Sequence, residues 1–175
     1  MKKIVYALCL IILVGAWCSN GFCATARQLY KLADQRAASG QPDFAFMHWR
    51  NLLRDFPQSQ QAQPALFALG EYYYSLPDYK QAVTSFESYL KKYPDSGDRL
   101  FALAYLLRIA RLRGQDEQVD ALEKEIIGLK QLGLVFSDYK EYSTQTPLHK
   151  DFQAVFHIDT ITFYLNGEVF EKILY

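Results

Sequence analysis

The sequence predicts a mainly α chain: an α-α superhelix of about three helical hairpins, followed by a small C-terminal β-hairpin or three-stranded sheet. Three observations predict it. The chain repeats itself at an offset of 37 residues, so that Leu29, Leu66 and Leu103 share one register, as do Leu32, Leu69 and Leu106. Apolar residues within each unit step by three and four, which lines one face of an α-helix. Near the C-terminus, Asn-Gly at 166–167 separates two alternating apolar runs, the pattern of a two-residue hairpin turn.

Composition bounds the function before any motif does. The 175 residues suffice for one domain with an extension. Half of them are hydrophobic, too many for a disordered chain. A formal net charge of zero supplies no field to attract nucleic acid or an anionic membrane. Nucleic acid is therefore not expected as a partner.

Residues 1–26 read as a signal peptide. Lys2 and Lys3 make a positive start, Ile4–Val14 an apolar core, and Ala24–Ala26 a small-x-small cleavage site before Arg27. The apolar run is shorter than the roughly 20 residues that span a bilayer. Cleavage there leaves 17 basic and 19 acidic residues, a mature charge of −2. It also removes Cys9, Cys18 and Cys23, all the cysteines of the chain, so no disulfide or thiolate chemistry remains. Lipid attachment needs a small residue before the cysteine, whereas Cys18 follows Trp17 and Cys23 follows Phe22. The expectation is a soluble periplasmic protein, with an outer-membrane lipoprotein as the alternative.

The repeats occupy 27–59, 60–96 and 97–131. In the second, Leu66, Leu69 and Tyr73 mark one helix and Ala82, Phe86, Tyr89 and Leu90 another, with the turn formers Pro77 and Asp78 between them. Gly70 and Ala82 are small where the two helices would cross; Tyr73 and Phe86 would fill the space beside the crossing. Pro57 and Pro94 end the second helix of their units. Other positions keep the register: Ala45 with Ala82 and Val119, Leu53 with Leu90 and Ile127, Trp49 with Phe86, and "DFPQS" with "KYPDS".

This pattern resembles the tetratricopeptide repeat (TPR) family over residues 27–131. The second unit carries Leu66, Leu69, Gly70, Tyr73, Tyr79, Ala82, Phe86, Tyr89, Leu90 and Pro94 at the family's spacings. The first departs at Arg36 and Pro42, the third at Leu107, Glu123 and Gln131. The longer spacing and the "YPDS" stretch resemble an envelope branch that includes the outer-membrane assembly lipoprotein BamD and the periplasmic Tol-Pal accessory protein. The resemblance implies that the tyrosines mostly fill the packing between helices, and that the concave face of the first helices holds a partner peptide. By register that face carries Arg27, Tyr30 and Asp34, then Phe67, Glu71 and Tyr74, then Phe101, Arg108 and Arg111. Phe67, Tyr74 and Phe101 would form an aromatic floor, with Glu71 opposite Arg108 and Arg111 as orienting charge. In a second arrangement Phe67 and Phe101 pack against the C-terminal segment and the groove fills itself.

That segment departs from helical spacing. Residues 132–150 read as a linker and 151–175 as a β-hairpin extension. With an Asn-Gly turn, Phe163 faces Phe170, with Ile161, Leu165 and Leu174 on the same side and Thr160, Thr162 and Glu171 on the other. Because a lone hairpin is marginal, residues 152–158 are expected to add a third strand, or the sheet to dock on the last helices. An exposed strand edge could pair with a partner's sheet, which gives a second functional reading, a structural subunit.

Nothing in the sequence points to catalysis. His48, next to Trp49, reads as a packing or surface residue, and His157 with Asp159 would supply only two metal ligands. No phosphate-binding glycine loop or nucleophile elbow occurs. The expectation is an exported, non-catalytic scaffold for protein–protein interactions in the bacterial cell envelope, with no metal, cofactor or small-molecule substrate. The resemblance implies outer-membrane protein assembly or Tol-Pal-linked envelope maintenance, with membrane association only through a lipid or a partner; a metal-dependent enzyme is the least favoured reading.

Overall fold

The computed structural model describes residues 24–130 and 140–175. The leader's charged start, its apolar core and its cysteines lie outside the described residues, as do Gln131 at the end of the third repeat and 132–139 of the expected linker. Six helices come first: α1 Ala26–Ala38, α2 Pro42–Asp55, α3 Ala62–Ser75, α4 Tyr79–Lys92, α5 Arg99–Leu112 and α6 Asp116–Lys130. The second helix of each hairpin begins at Pro42, Tyr79 and Asp116, which is the 37-residue repeat made physical. No described helix is long and apolar enough to cross a membrane.

Local chemistry sets the helix ends. Thr25 caps α1 in a capping box: its hydroxyl accepts from the Gln28 N–H at 3.3 Å, and the Gln28 amide accepts from the Thr25 N–H at 2.8 Å. Pro42 starts α2, where its missing N–H costs nothing. Asp78 caps α4 by accepting from the Gln81 N–H.

The crossing expected from the sequence is present. A Cβ placed on Gly70 would lie 2.7 Å from the Phe86 ring, so only glycine lets α3 approach α4 this closely. Phe86 is fully buried and stacks on Tyr105 of α5, ring centroids 4.8 Å apart. Trp49 is fully buried in the corresponding place of the first unit. The adjacent tyrosines diverge: Tyr72 stacks on Phe46 of α2 and donates to Asp43 at 2.7 Å, whereas Tyr74 turns toward Tyr105. As expected, most of these rings are filler. Leu32, Leu69 and Leu106 show what stacking contributes at one register position. Leu106 is buried, Leu69 half-buried and Leu32 41% exposed, since among the described residues the first unit has no unit stacked before it.

The C-terminal sheet has four strands, one more than the three expected: β1 Lys140–Gln145, β2 Asp151–Phe156, β3 Thr160–Leu165 and β4 Glu168–Leu174. All pair antiparallel in sequence order. The added strand β1 lies in the stretch read as linker; "KEYSTQ" is polar and mostly exposed, so apolar alternation could not mark it. The Asn-Gly turn forms as expected, with φ of 52° at Asn166 and 80° at Gly167.

The hairpin register differs from the simple one. Tyr164 pairs with Val169, but Phe163 pairs with Glu171, because a bulge inserts Phe170 into β4. Phe163 therefore does not face Phe170. Beyond the bulge the faces exchange: Glu171 and Ile173 turn inward, and Leu174 is 70% exposed. One face of the sheet, carrying Phe152, Ala154, Phe156, Ile161, Phe163 and Ile173, joins the core formed by α3–α6.

Candidate functional site

The inner face of the first helices is where the sequence expects a groove, and the chain's own sheet covers much of it. Phe101 on α5 meets Phe152 of β2, ring centroids 4.8 Å apart. Tyr105 touches Phe152 at 5.3 Å and Phe170 at 5.1 Å, and Tyr74 touches Phe170 at 5.8 Å. Phe101 is consequently 2% exposed and Tyr74 half-buried, whereas Phe67, 3% exposed, is held by Phe86, Tyr89 and Tyr105 of the helices. Each contact is an edge-on or tilted aromatic pair, worth about 0.5–1.5 kcal/mol beyond the area it buries.

Charge follows the rings. The bulge sends Glu171 under the sheet, where Arg111 donates to its carboxylate and to the Lys172 carbonyl at 2.9 Å. Arg111 also pairs with Glu123 of α6, and Arg108 lies 3.9 Å from Glu171. The expected facing of Glu71 with Arg108 and Arg111 is replaced by this arrangement. Glu71 is fully buried and instead accepts from the Tyr105 hydroxyl at 2.8 Å. Its second oxygen makes no hydrogen bond of normal geometry, though Thr146 and the Leu148 backbone face the carboxyl from the β1–β2 turn. Burial pushes the Glu71 pKa up, and those groups together with Lys150 offset only part of that push.

The first unit's share of the face stays accessible. Tyr30 and Asp34 line a cleft bounded by α1, α3, the start of α5 and the β1–β2 turn. His149 of that turn reaches Asp34 at 3.0 Å. Arg27 is exposed on the first turn of α1. The predicted groove residues thus divide: Tyr30 and Asp34 face an opening whose wall Phe67 shares, whereas Glu71, Tyr74, Phe101, Arg108 and Arg111 meet the chain's own sheet or the turn beside it. His48 is half-buried on α2, and His157 is exposed. Among the described residues, no group of three or more His, Cys, Asp or Glu could hold a metal ion.

Sequence reasoning missed Thr146, His149 and Glu171. Strict alternation puts Glu171 on the outer face because it has no place for a bulge. Thr146 and His149 sit in a stretch whose only mark was Pro147.

Residues 23–154 match a family described as an outer membrane lipoprotein, YfiO. The chain belongs to the YfiO family. That family is TPR-like, related to BamD and non-catalytic, in agreement with the stacked hairpins. No curated protein matches the chain. The YfiO match covers all six helices, β1 and the first part of β2, but stops before β3 and β4. The hairpin carrying Phe170 and Glu171 therefore lies outside the matched residues.

Proposed function

We propose that this YfiO-family chain is a lipid-anchored, non-catalytic scaffold that holds a protein partner in the bacterial cell envelope. The observation that carries the reading is the family match itself, an outer membrane lipoprotein over three quarters of the chain. Its relation to BamD favours outer-membrane protein assembly over Tol-Pal-linked maintenance as the setting. The packing supports a partner site at the first unit, where the expected groove residues Tyr30 and Asp34, with Phe67 of the second unit, line an open cleft. A photocrosslinking residue at Tyr30 in the full chain is expected to capture a partner in envelope extracts, and one at Phe86 in the core is not. Equal capture at both positions would contradict the reading.

The anchor is proposed at Cys23, in line with the lipoprotein alternative, with the family match outweighing the large Phe22 that precedes the cysteine. The family match starts there, and α1 begins immediately afterwards. Cleavage after Ala26 would remove the Thr25 cap, worth about 1 kcal/mol, together with Ala24 and Ala26, which pack on the first-unit core. Metabolic labelling with a fatty acid is expected to mark the wild type and Cys18→Ser but not Cys23→Ser. An unlabelled mature protein starting at Arg27 would refute the anchor.

A further inference from the structure

The sheet's two outer strands differ in what their edges offer. On β4 both backbone groups of Lys172 are occupied: the carbonyl accepts from Arg111 at 2.9 Å, and the N–H donates to the Glu171 carboxylate at 3.0 Å. That edge is blocked at its middle, which is how native sheets avoid unwanted pairing.

The far half of β1 has no strand beside it among the described residues. Gln145 lies opposite Asp151, and Ser143 opposite Gln153. The Asp151 carbonyl accepts from the Asn166 N–H at 2.8 Å, so Asp151 turns its backbone toward the β3 side. In an antiparallel ladder the residue opposite must then turn its own N–H and C=O away from β2. Gln145 does so, and Ser143, two residues back, does the same. Both residues are exposed.

This edge runs into the cleft that holds Tyr30 and Asp34, about 240 Å³ in volume and lined also by Asp98, Gln145 and His149. Asp34 has His149 as its partner. Asp98 starts α5 without a side-chain capping bond, and its carboxylate has no ion pair among the described residues. Burial, and then the charges of Asp34 and Asp98, push the Tyr30 pKa up, so both carboxylates act on the same ring. An aromatic wall beside two acids suits a guanidinium, which pairs with carboxylate and stacks on tyrosine.

We propose that an extended segment of the partner protein adds to the β1 edge at Ser143 and Gln145 and lowers an arginine side chain into the cleft against Asp98 and Asp34. Main-chain pairing supplies affinity and the cleft selects the side chain, as in other strand additions. The inference rests on the scaffold reading and specifies the chemistry of its partner.

The test uses the purified full chain and a fluorescein-labelled peptide of alternating valine and threonine around one arginine. Its companions are the same peptide with citrulline, which keeps the shape but loses the charge, and a version N-methylated on alternate residues, which cannot pair as a strand. The arginine peptide is expected to bind, the citrulline peptide to bind about 5–10-fold more weakly, and the N-methylated one not to bind. Asp98→Asn, with unchanged thermal midpoint, is expected to reduce the arginine preference. Equal binding of arginine and citrulline peptides, or of the N-methylated one, overturns the inference, and so does failure of the arginine peptide to bind. If the peptides fail while a residue at Tyr30 still crosslinks a partner, the inference falls and the scaffold stands; if that crosslink fails too, both fall.

Discussion

Phe101 of α5 lies against Phe152 of β2 with ring centroids 4.8 Å apart, so the inner face of the helical stack holds a strand of its own chain. Phe152 also meets Phe163, Phe170 and Tyr105, and is 1% exposed. Phe152→Ala is expected to cost about 3–5 kcal/mol, since it empties the seam between sheet and helices. Denaturant unfolding of the full chain measures this; a loss under about 1 kcal/mol would mean that the sheet does not pack there.

The same seam holds charge. Glu171 is 4% exposed and has Arg111 as its donor, while Arg111 itself is one third exposed. Glu171→Gln, Arg111→Met and the double variant form a cycle. The expected coupling is about 1–3 kcal/mol, with Arg111→Met the costlier single change because it strands a buried carboxylate. A coupling near zero would show that the pair is held in water.

Two glycines should respond in opposite directions. Gly70→Ala forces a methyl into the Phe86 ring, which Tyr105 holds from the other side, and is expected to cost about 1–3 kcal/mol. Gly128 sits within α6 with nothing near its Cβ direction, so Gly128→Ala is expected to gain about 0.5–1 kcal/mol from helix propensity. Thermal melts of the two variants check both signs.

Buried Glu71 makes stability depend on pH. Its folded pKa is raised above the ordinary 4.5, so in the window above 4.5 the folded state keeps a proton that the unfolded state has lost. Its contribution is fully present below the unfolded pKa and is lost as pH rises through the folded pKa. Glu71→Gln can still accept from Tyr105 and is expected to flatten this part of the stability–pH curve. Unchanged curvature in the variant would locate the dependence elsewhere.

The helical half was readable because its signal is repetitive. Small Gly70 facing large Phe86, and Ala82 beside it, state the crossing in residue size alone, and the spacing states the hairpin. The sheet was readable where chemistry is local, at Asn166 and Gly167. It was not readable where the cause is distant. Strand β1 has no apolar pattern of its own and takes its place by pairing with β2. The bulge at Phe170 puts Glu171 beside Arg111, 60 residues earlier, which no window of neighbouring residues reveals. The site divided likewise: register alone put Tyr30 and Asp34 on the inner face, but which part of that face stays open depends on the sheet.

Aromatic proton contacts in the full chain, read by nuclear Overhauser spectroscopy, test the central claim most directly. The account predicts cross-peaks from the Phe152 ring to those of Phe101 and Tyr105, with Phe170 joining Tyr74. Rings of Phe101 and Tyr105 that show contacts only within the helices, with the sheet's rings contacting only each other, would contradict it.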